Sequence, residues 1–205
     1  VPTIGDAKRG DVPPTAGFYA RALFDVWGFD AVTVNPYAGR DSVEPFLAYR
    51  DRGVFLWCRS SNPGAREFQD LVVASAYSRE ARPLYEWVAQ QAAAWDTWGN
   101  LGLVVAATYP EELKRVRDLC PAMPLLVPGI GAQKGSLEKA VQWGVDRQGR
   151  GLILTASRSI LYASRDPGRF AEVARREAMA LRERVNTLLG GLGHPWKEGD
   201  VPPAP

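Results

Sequence analysis

Two aspartates flank a lysine near the start of this chain in the spacing Asp6-x-Lys8-x-x-Asp11, directly after the apolar run Val1-Pro2-Thr3-Ile4. A strand over Val1 to Asp6 would put Asp6 and Lys8 on one face, because side chains alternate with a period of two. A carboxylate beside an ammonium is the raw material of an acid–base pair. Burying such a pair is expensive, so it reads either as a solvated loop cluster or as an active site.

Three further stretches carry polar groups just past apolar runs: Arg59-Ser60-Ser61-Asn62-Pro63-Gly64-Ala65, Leu126-Val127-Pro128-Gly129-Ile130-Gly131-Ala132-Gln133, and Thr155-Ala156-Ser157-Arg158-Ser159-Ile160. Taken singly, each has an ordinary reading. Pro128 to Gly131 is a turn, Ser157-Arg158 is surface, and Ser61 and Gln133 are capping or loop hydrogen-bonders. Asn35, Pro36 and Tyr37 end another run and read only as part of a rim.

The elements that must position these residues alternate. Strand-like runs cover Val1 to Asp6, Ala31 to Asn35, Val54 to Arg59, Gly102 to Ala106, Leu125 to Pro128 and Gly151 to Ala156. They are short, rich in Val, Ile or Leu, and bounded by Gly, Pro, Ser or Asn, as strands buried on both faces should be. Helical spacing appears over Thr15 to Trp27, Ser42 to Arg50, Ala81 to Trp98, Pro110 to Leu119, Ser136 to Trp143 and Pro167 to Leu189. The pattern is that of a parallel α/β fold. Polar chemistry recurring at the C-terminal end of strand after strand points to a TIM (β/α)8 barrel, which needs eight strands and typically about 250 residues. On that reading this chain of 205 residues holds about six βα units, the third to the eighth. The expected organisation is a barrel portion over residues 1–189 and a Gly/Pro-rich, poorly ordered tail over 190–205. The chain opens on Val1 rather than Met, and residues are expected to precede it.

Composition removes several classes of function. A net charge of +2 with no basic run or stacking motif is no footprint for nucleic acid. No run approaches the roughly 20 apolar residues of a membrane span, and none reads as a signal peptide. Cys58 and Cys120 match no metal spacing and read as reduced thiols of a cytoplasmic protein, with Cys58 inside a strand. The single histidine, His194, lies in the tail, which argues against a His-based triad or a His-rich metal site.

In this order and spacing the four stretches resemble the orotidine 5'-phosphate decarboxylase family. Asp30-Ala31-Val32-Thr33-Val34-Asn35-Pro36-Tyr37 is similar to its longer bacterial branch. The resemblance covers roughly Val1 to Ser164, the family's third to eighth barrel strands. The family's first strand ends in a ribose-binding Asp and its second in a Lys of the catalytic charge network; neither strand is present here. Two positions depart from the pattern: Lys134 follows Gln133 where many members have Gly, and Ser157 precedes Arg158 where another branch has Gly.

The resemblance implies a division of labour. Lys8 would stabilise the carbanion formed at C6 of the pyrimidine and give it a proton, and Asp6 would hold Lys8 charged and aimed. Asp11 and Thr15 would reach into the site of a second subunit, which implies a homodimer with shared active sites. Arg158, with backbone N–H groups around Gly131 and Ser157, would grip the 5'-phosphate. Gln133 would span phosphate and base, and Ser61 would hydrogen-bond the base. The implied ligands are orotidine 5'-monophosphate and uridine 5'-monophosphate, with no metal or other cofactor. Two alternatives stand beside this reading: a Mg-dependent sugar-phosphate decarboxylase or synthase sharing Asp-x-Lys-x-x-Asp, and a non-catalytic nucleotide-phosphate-binding module.

Overall fold

The computed structural model describes residues 1–75, 78–131, 133 and 135–196. Its framework is a six-stranded parallel sheet built from β1 (Ile4–Arg9), β2 (Ala31–Val34), β3 (Gly53–Arg59), β6 (Leu101–Val105), β7 (Leu125–Pro128) and β8 (Leu152–Thr155), side by side in that order. All six expected runs are strands. The sheet curls into a half-barrel, and β1 and β8 form its two edges among the described residues.

Alternation along the central strands divides the apolar residues between two cores. Val32, Val34, Val54, Leu56, Cys58, Leu103, Val105 and Val127 face the helices and pack with Ala16, Phe46, Ala89, Leu113, Val116 and Ala140. Ala31, Phe55, Val104 and Leu126 form a second cluster on the opposite, concave face, joined by Ile4 and Trp57. Apolar residues at both parities are what a parallel sheet covered on both sides requires. Gly102 stands beside Phe55 in the β3–β6 register, and a Cβ there would lie 2.6 Å from the Phe55 ring and 2.7 Å from the Pro124 carbonyl oxygen. Glycine at that position makes room for the ring.

The outer layer comprises α1 (Pro13–Arg21), continued as a wider π turn over Ala22–Val26, then α2 (Glu44–Leu47), α3 (Arg66–Gln69), α4 (Leu84–Trp95), α5 (Pro110–Leu119), α6 (Leu137–Gly144), α7 (Arg158–Leu161) and α8 (Phe170–Gly191). None of the described helices is long and apolar enough to cross a membrane.

Several boundaries differ from expectation. The first strand begins at Ile4 and continues past Asp6 to Arg9, carrying Lys8 within it. Helix α1 starts at Pro13 because proline is tolerated where the first-turn N–H groups have no helical partner. The segment expected as helix from Ala81 begins instead as a hairpin of β4 (Val72–Ser75) and β5 (Ser78–Pro83). Pro83 is the reason: it disfavours helical backbone at Arg82, so α4 can begin only at Leu84. Trp87 of α4 then donates its indole N–H to the Val73 carbonyl at 3.2 Å, tying the hairpin down. The last helix extends to Gly191, two residues into the expected tail, and residues 197–205 of that tail lie outside the described residues.

Candidate active site

The C-terminal ends of the strands surround a cleft of about 410 Å3. Its floor is the concave cluster of Ile4, Trp57, Val104 and Leu126, and its polar wall comprises Asp6, Lys8, Arg59, Ser60, Ser61, Asn62, Gln133, Thr155 and Ser157. All four sequence stretches therefore contribute to one site.

Lys8 and Asp6 meet through a local irregularity of β1. Gly5 pairs with Val32 and Arg9 with Val34, so Asp6, Ala7 and Lys8 stand opposite the single residue Thr33. Lys8 has φ +48°, left-handed backbone that an L residue rarely adopts. This bulge brings Lys8 Nζ to 2.5 Å from Asp6 Oδ1. The Thr33 hydroxyl donates to the same Oδ1 at 2.8 Å and accepts the Lys8 backbone N–H at 3.0 Å. Burial alone would raise the Asp6 carboxyl. The hydrogen bonds from Lys8 and Thr33, with the Lys8 charge, outweigh it and leave the group below the ordinary aspartate value. The side chains of Lys8 and Asp6 remain 37% and 65% exposed, open to whatever enters the cleft.

The loop after β3 is held from beneath by Arg59, which is wholly buried. Its guanidinium donates to Gln69 Oε1 at 3.1 Å, lies 2.9 Å from Asp70 Oδ1 and 3.7 Å from Glu112 Oε1, and stacks on Tyr109 at 3.9 Å. The Asp70 contact is an ion pair without hydrogen-bond geometry, and Arg59 Nε has no hydrogen-bond partner. Gln69 Oε1 also accepts the Ser60 N–H at 2.9 Å, and Ser60 Oγ donates to Asn62 Oδ1 at 2.8 Å. Ser61 is thus presented by a loop braced on both sides.

On the far wall, Gly129 has φ +99°, and a Cβ there would lie 2.9 Å from Gln133 Oε1. At Gly131 a Cβ would meet Ser159 Oγ at 2.8 Å, so the loop after β7 lies against the first turn of α7. The remaining expected residues lie off the cleft wall. Arg158 is exposed at the first turn of α7, and among the described residues it makes no ion pair. Asp11 accepts the Val12 N–H at 2.7 Å, and neither Asp11 nor Thr15 lines the cleft. The expected departure at Lys134 falls, with Ala132, outside the described residues. Cys58 is buried in β3, and burial pushes its thiol up, away from nucleophilic use. Among the described residues no group of three or more His, Cys, Asp or Glu side chains is arranged to hold a metal ion.

Residues 1–174 match the family model described as "Orotidine 5'-phosphate decarboxylase / HUMPS family". The chain belongs to the orotidine 5'-phosphate decarboxylase family. It is 50% identical over 199 residues to the orotidine 5'-phosphate decarboxylase of Thermomicrobium roseum, covering 95% of this chain and 69% of that one. The corresponding protein of Cupriavidus necator is 49% identical over 192 residues, covering 93% and 68%. Among solved structures, that of Leishmania donovani OMP decarboxylase superposes with a TM-score of 0.79 at 39% identity, covering 92% of this chain and 68% of that chain. The chain thus spans about two thirds of the length of these relatives. The reaction of an orotidine 5'-phosphate decarboxylase is a carboxy-lyase step of pyrimidine biosynthesis, orotidine 5'-monophosphate to uridine 5'-monophosphate. The sugar-phosphate alternative finds no support among these relatives.

Two residues that hold the walls of this cleft escaped the sequence reading. Thr33 sits in an apolar run as a β-branched residue that any strand accepts, and its contact with Asp6 depends on a bulge whose left-handed residue is Lys8 and not a glycine. Arg59 was legible as a strand-end residue but not as a buried one. The available signal was the acidic pair Asp70 and Glu112, which supplies its counter-charge from two other segments.

Proposed function

We propose that this cleft decarboxylates orotidine 5'-monophosphate without a cofactor, with Lys8 as the acid. The C6–carboxylate bond breaks heterolytically, carbon dioxide leaves, and the electron pair stays in the ring plane at C6, where no π-system spreads it. The Lys8 ammonium stabilises that charge and then transfers a proton to C6, and solvent restores the ammonium. At an effective dielectric near 20, two unit charges about 4 Å apart interact by roughly 4 kcal/mol, on the order of a thousandfold in rate if felt only in the transition state. The observation that carries this reading is the 2.5 Å Lys8–Asp6 pair, which shares one cleft with Ser61 and Gln133.

In this reading Asp6 aims Lys8 through the ion pair. Ser61 meets the base and Gln133 spans base and phosphate. Arg158, with amides near Gly131 and Ser157, closes over the 5'-phosphate, a dianion matched to a guanidinium fork. Such remote contacts supply binding energy that can hold the site closed in the transition state. Asp11 and Thr15, lying off the cleft wall of their own subunit, serve the site of a second copy in a cytoplasmic homodimer. The open β1 and β8 edges suit completion of an eight-stranded barrel by two further βα units.

The test is turnover of orotidylate by the intact protein, followed by ultraviolet absorbance with and without EDTA. Uridylate formation that EDTA leaves unchanged is the expected result. Uridylate binding with no turnover would favour the non-catalytic module, and loss of turnover in EDTA would overturn the metal-free mechanism.

A further inference from the structure

Thr33 is 1% exposed and does not line the cleft, yet its hydroxyl is bonded to both partners of the pair that does. The bulge removes the Lys8 N–H from the β1–β2 ladder, and a buried N–H needs an acceptor. Thr33 Oγ1 is that acceptor, at 3.0 Å. Having accepted from Lys8, the hydroxyl directs its own proton to Asp6 Oδ1, at 2.8 Å. Oδ1 therefore receives Thr33 from the sheet and Lys8 Nζ from the cleft, so the direction of one bond fixes that of the other.

Left-handed backbone at a lysine is disfavoured and persists only where its surroundings impose it. Here the imposing contact is one side-chain oxygen standing where the ladder has a gap. We propose that Thr33 is the positioning residue of the Asp6–Lys8 pair: its hydroxyl bridges the Lys8 amide and the Asp6 carboxylate and so aims Lys8 Nζ into the cleft. The proposal rests on Lys8 being the acid of the reaction. Valine keeps the shape of threonine and can supply neither bond, whereas serine keeps both.

The experiment compares Thr33→Val, Thr33→Ala and Thr33→Ser with Lys8→Ala in the intact protein, measuring kcat on orotidylate and the affinity for uridylate by calorimetry. Loss of a hydrogen bond to a charged group predicts a fall in kcat of about tenfold to a hundredfold in the valine and alanine variants. Uridylate affinity should stay within about threefold of wild type, and serine should restore kcat. A wild-type kcat in either variant overturns the proposal, as does a serine variant as slow as valine. Loss of uridylate binding by both the valine and alanine proteins also overturns it, by making Thr33 a residue of the fold alone. Wild-type turnover by Lys8→Ala would instead overturn the parent assignment, whatever the Thr33 variants do.

Discussion

Gln69 Oε1 accepts a hydrogen bond from the buried guanidinium of Arg59 at 3.1 Å. The same oxygen takes the Ser60 N–H at 2.9 Å, so a single amide joins a buried cation to the loop that presents Ser61. Arg59→Met should break this link, leaving Glu112 without its cation and Asp70 with only the 3.9 Å contact to the exposed Arg66. Both carboxylates keep some access to water, at 39% and 24% exposure, so the cost should be about 3 kcal/mol, the low end for breaking a buried pair. Denaturant unfolding measures that cost. Uridylate affinity should fall as well, because the Ser60–Asn62 loop loses its brace.

Strands β2, β3, β6, β7 and β8 were legible because each is a short run apolar at both parities, which a sheet covered on both faces asks for, whereas β1, with Asp6, Lys8 and Arg9 inside it, was legible only at its apolar start. The β4–β5 hairpin was not, because Ala81 to Pro83, the end of β5, run without a break into the helical spacing that continues to Trp98 and so read as its first turn. Of the site, the strand-end motifs located Asp6, Lys8, Ser61, Gln133 and Ser157, since residues at one end of parallel strands converge wherever the sheet curls. Thr33 depended on a one-residue change of backbone at Lys8, and Arg59 on carboxylates far along the chain; neither contact is encoded locally.

Lys8→Ala should reduce decarboxylation by about a thousandfold or more, the factor its charge contributes at an effective dielectric near 20. Uridylate carries no carboxylate and develops no charge at C6, so its affinity should change little. Single-turnover kinetics beside equilibrium binding separates the two. Wild-type turnover would remove Lys8 from the mechanism.

Asp6→Asn should divide catalysis from stability. The pair is largely solvated, and an exposed ion pair contributes at most about 1 kcal/mol. Because the folded-state carboxyl lies below its ordinary value of 3.8, its contribution is present above that pH and is lost as pH falls through the folded value. Wild type and Asp6→Asn should therefore differ by a small, constant stability between pH 5 and pH 8 and converge only in acid. Turnover should fall at least tenfold across the same range, since a neutral amide loses the ion pair that aims the Lys8 ammonium. Unfolding curves and kcat measured at matched pH values check both halves.

Arg158→Ala should act on binding first. The side chain is exposed, so its removal should leave stability unchanged within about 0.5 kcal/mol. Loss of a charge-assisted fork to a dianion should raise KM by on the order of tenfold to a hundredfold. The penalty should vanish when the substrate is the nucleoside lacking its phosphate. An equal penalty on nucleoside and nucleotide would place Arg158 elsewhere than at the phosphate.

Gly102→Ala tests whether the concave core supports the cleft above it. The added methyl would lie 2.6 Å from the Phe55 ring and 2.7 Å from the Pro124 carbonyl oxygen; the ring can move, and the β7 approach cannot. Overpacking of this kind typically costs about 1–3 kcal/mol. Phe55 shares its cluster with Val104 and Leu126, and both form the floor beneath the polar wall. A displaced ring should therefore lift that floor and weaken uridylate binding along with stability. Thermal unfolding and uridylate calorimetry on the same preparation should move together, and a destabilised variant with unchanged affinity would show that the floor is independent of the core beneath it.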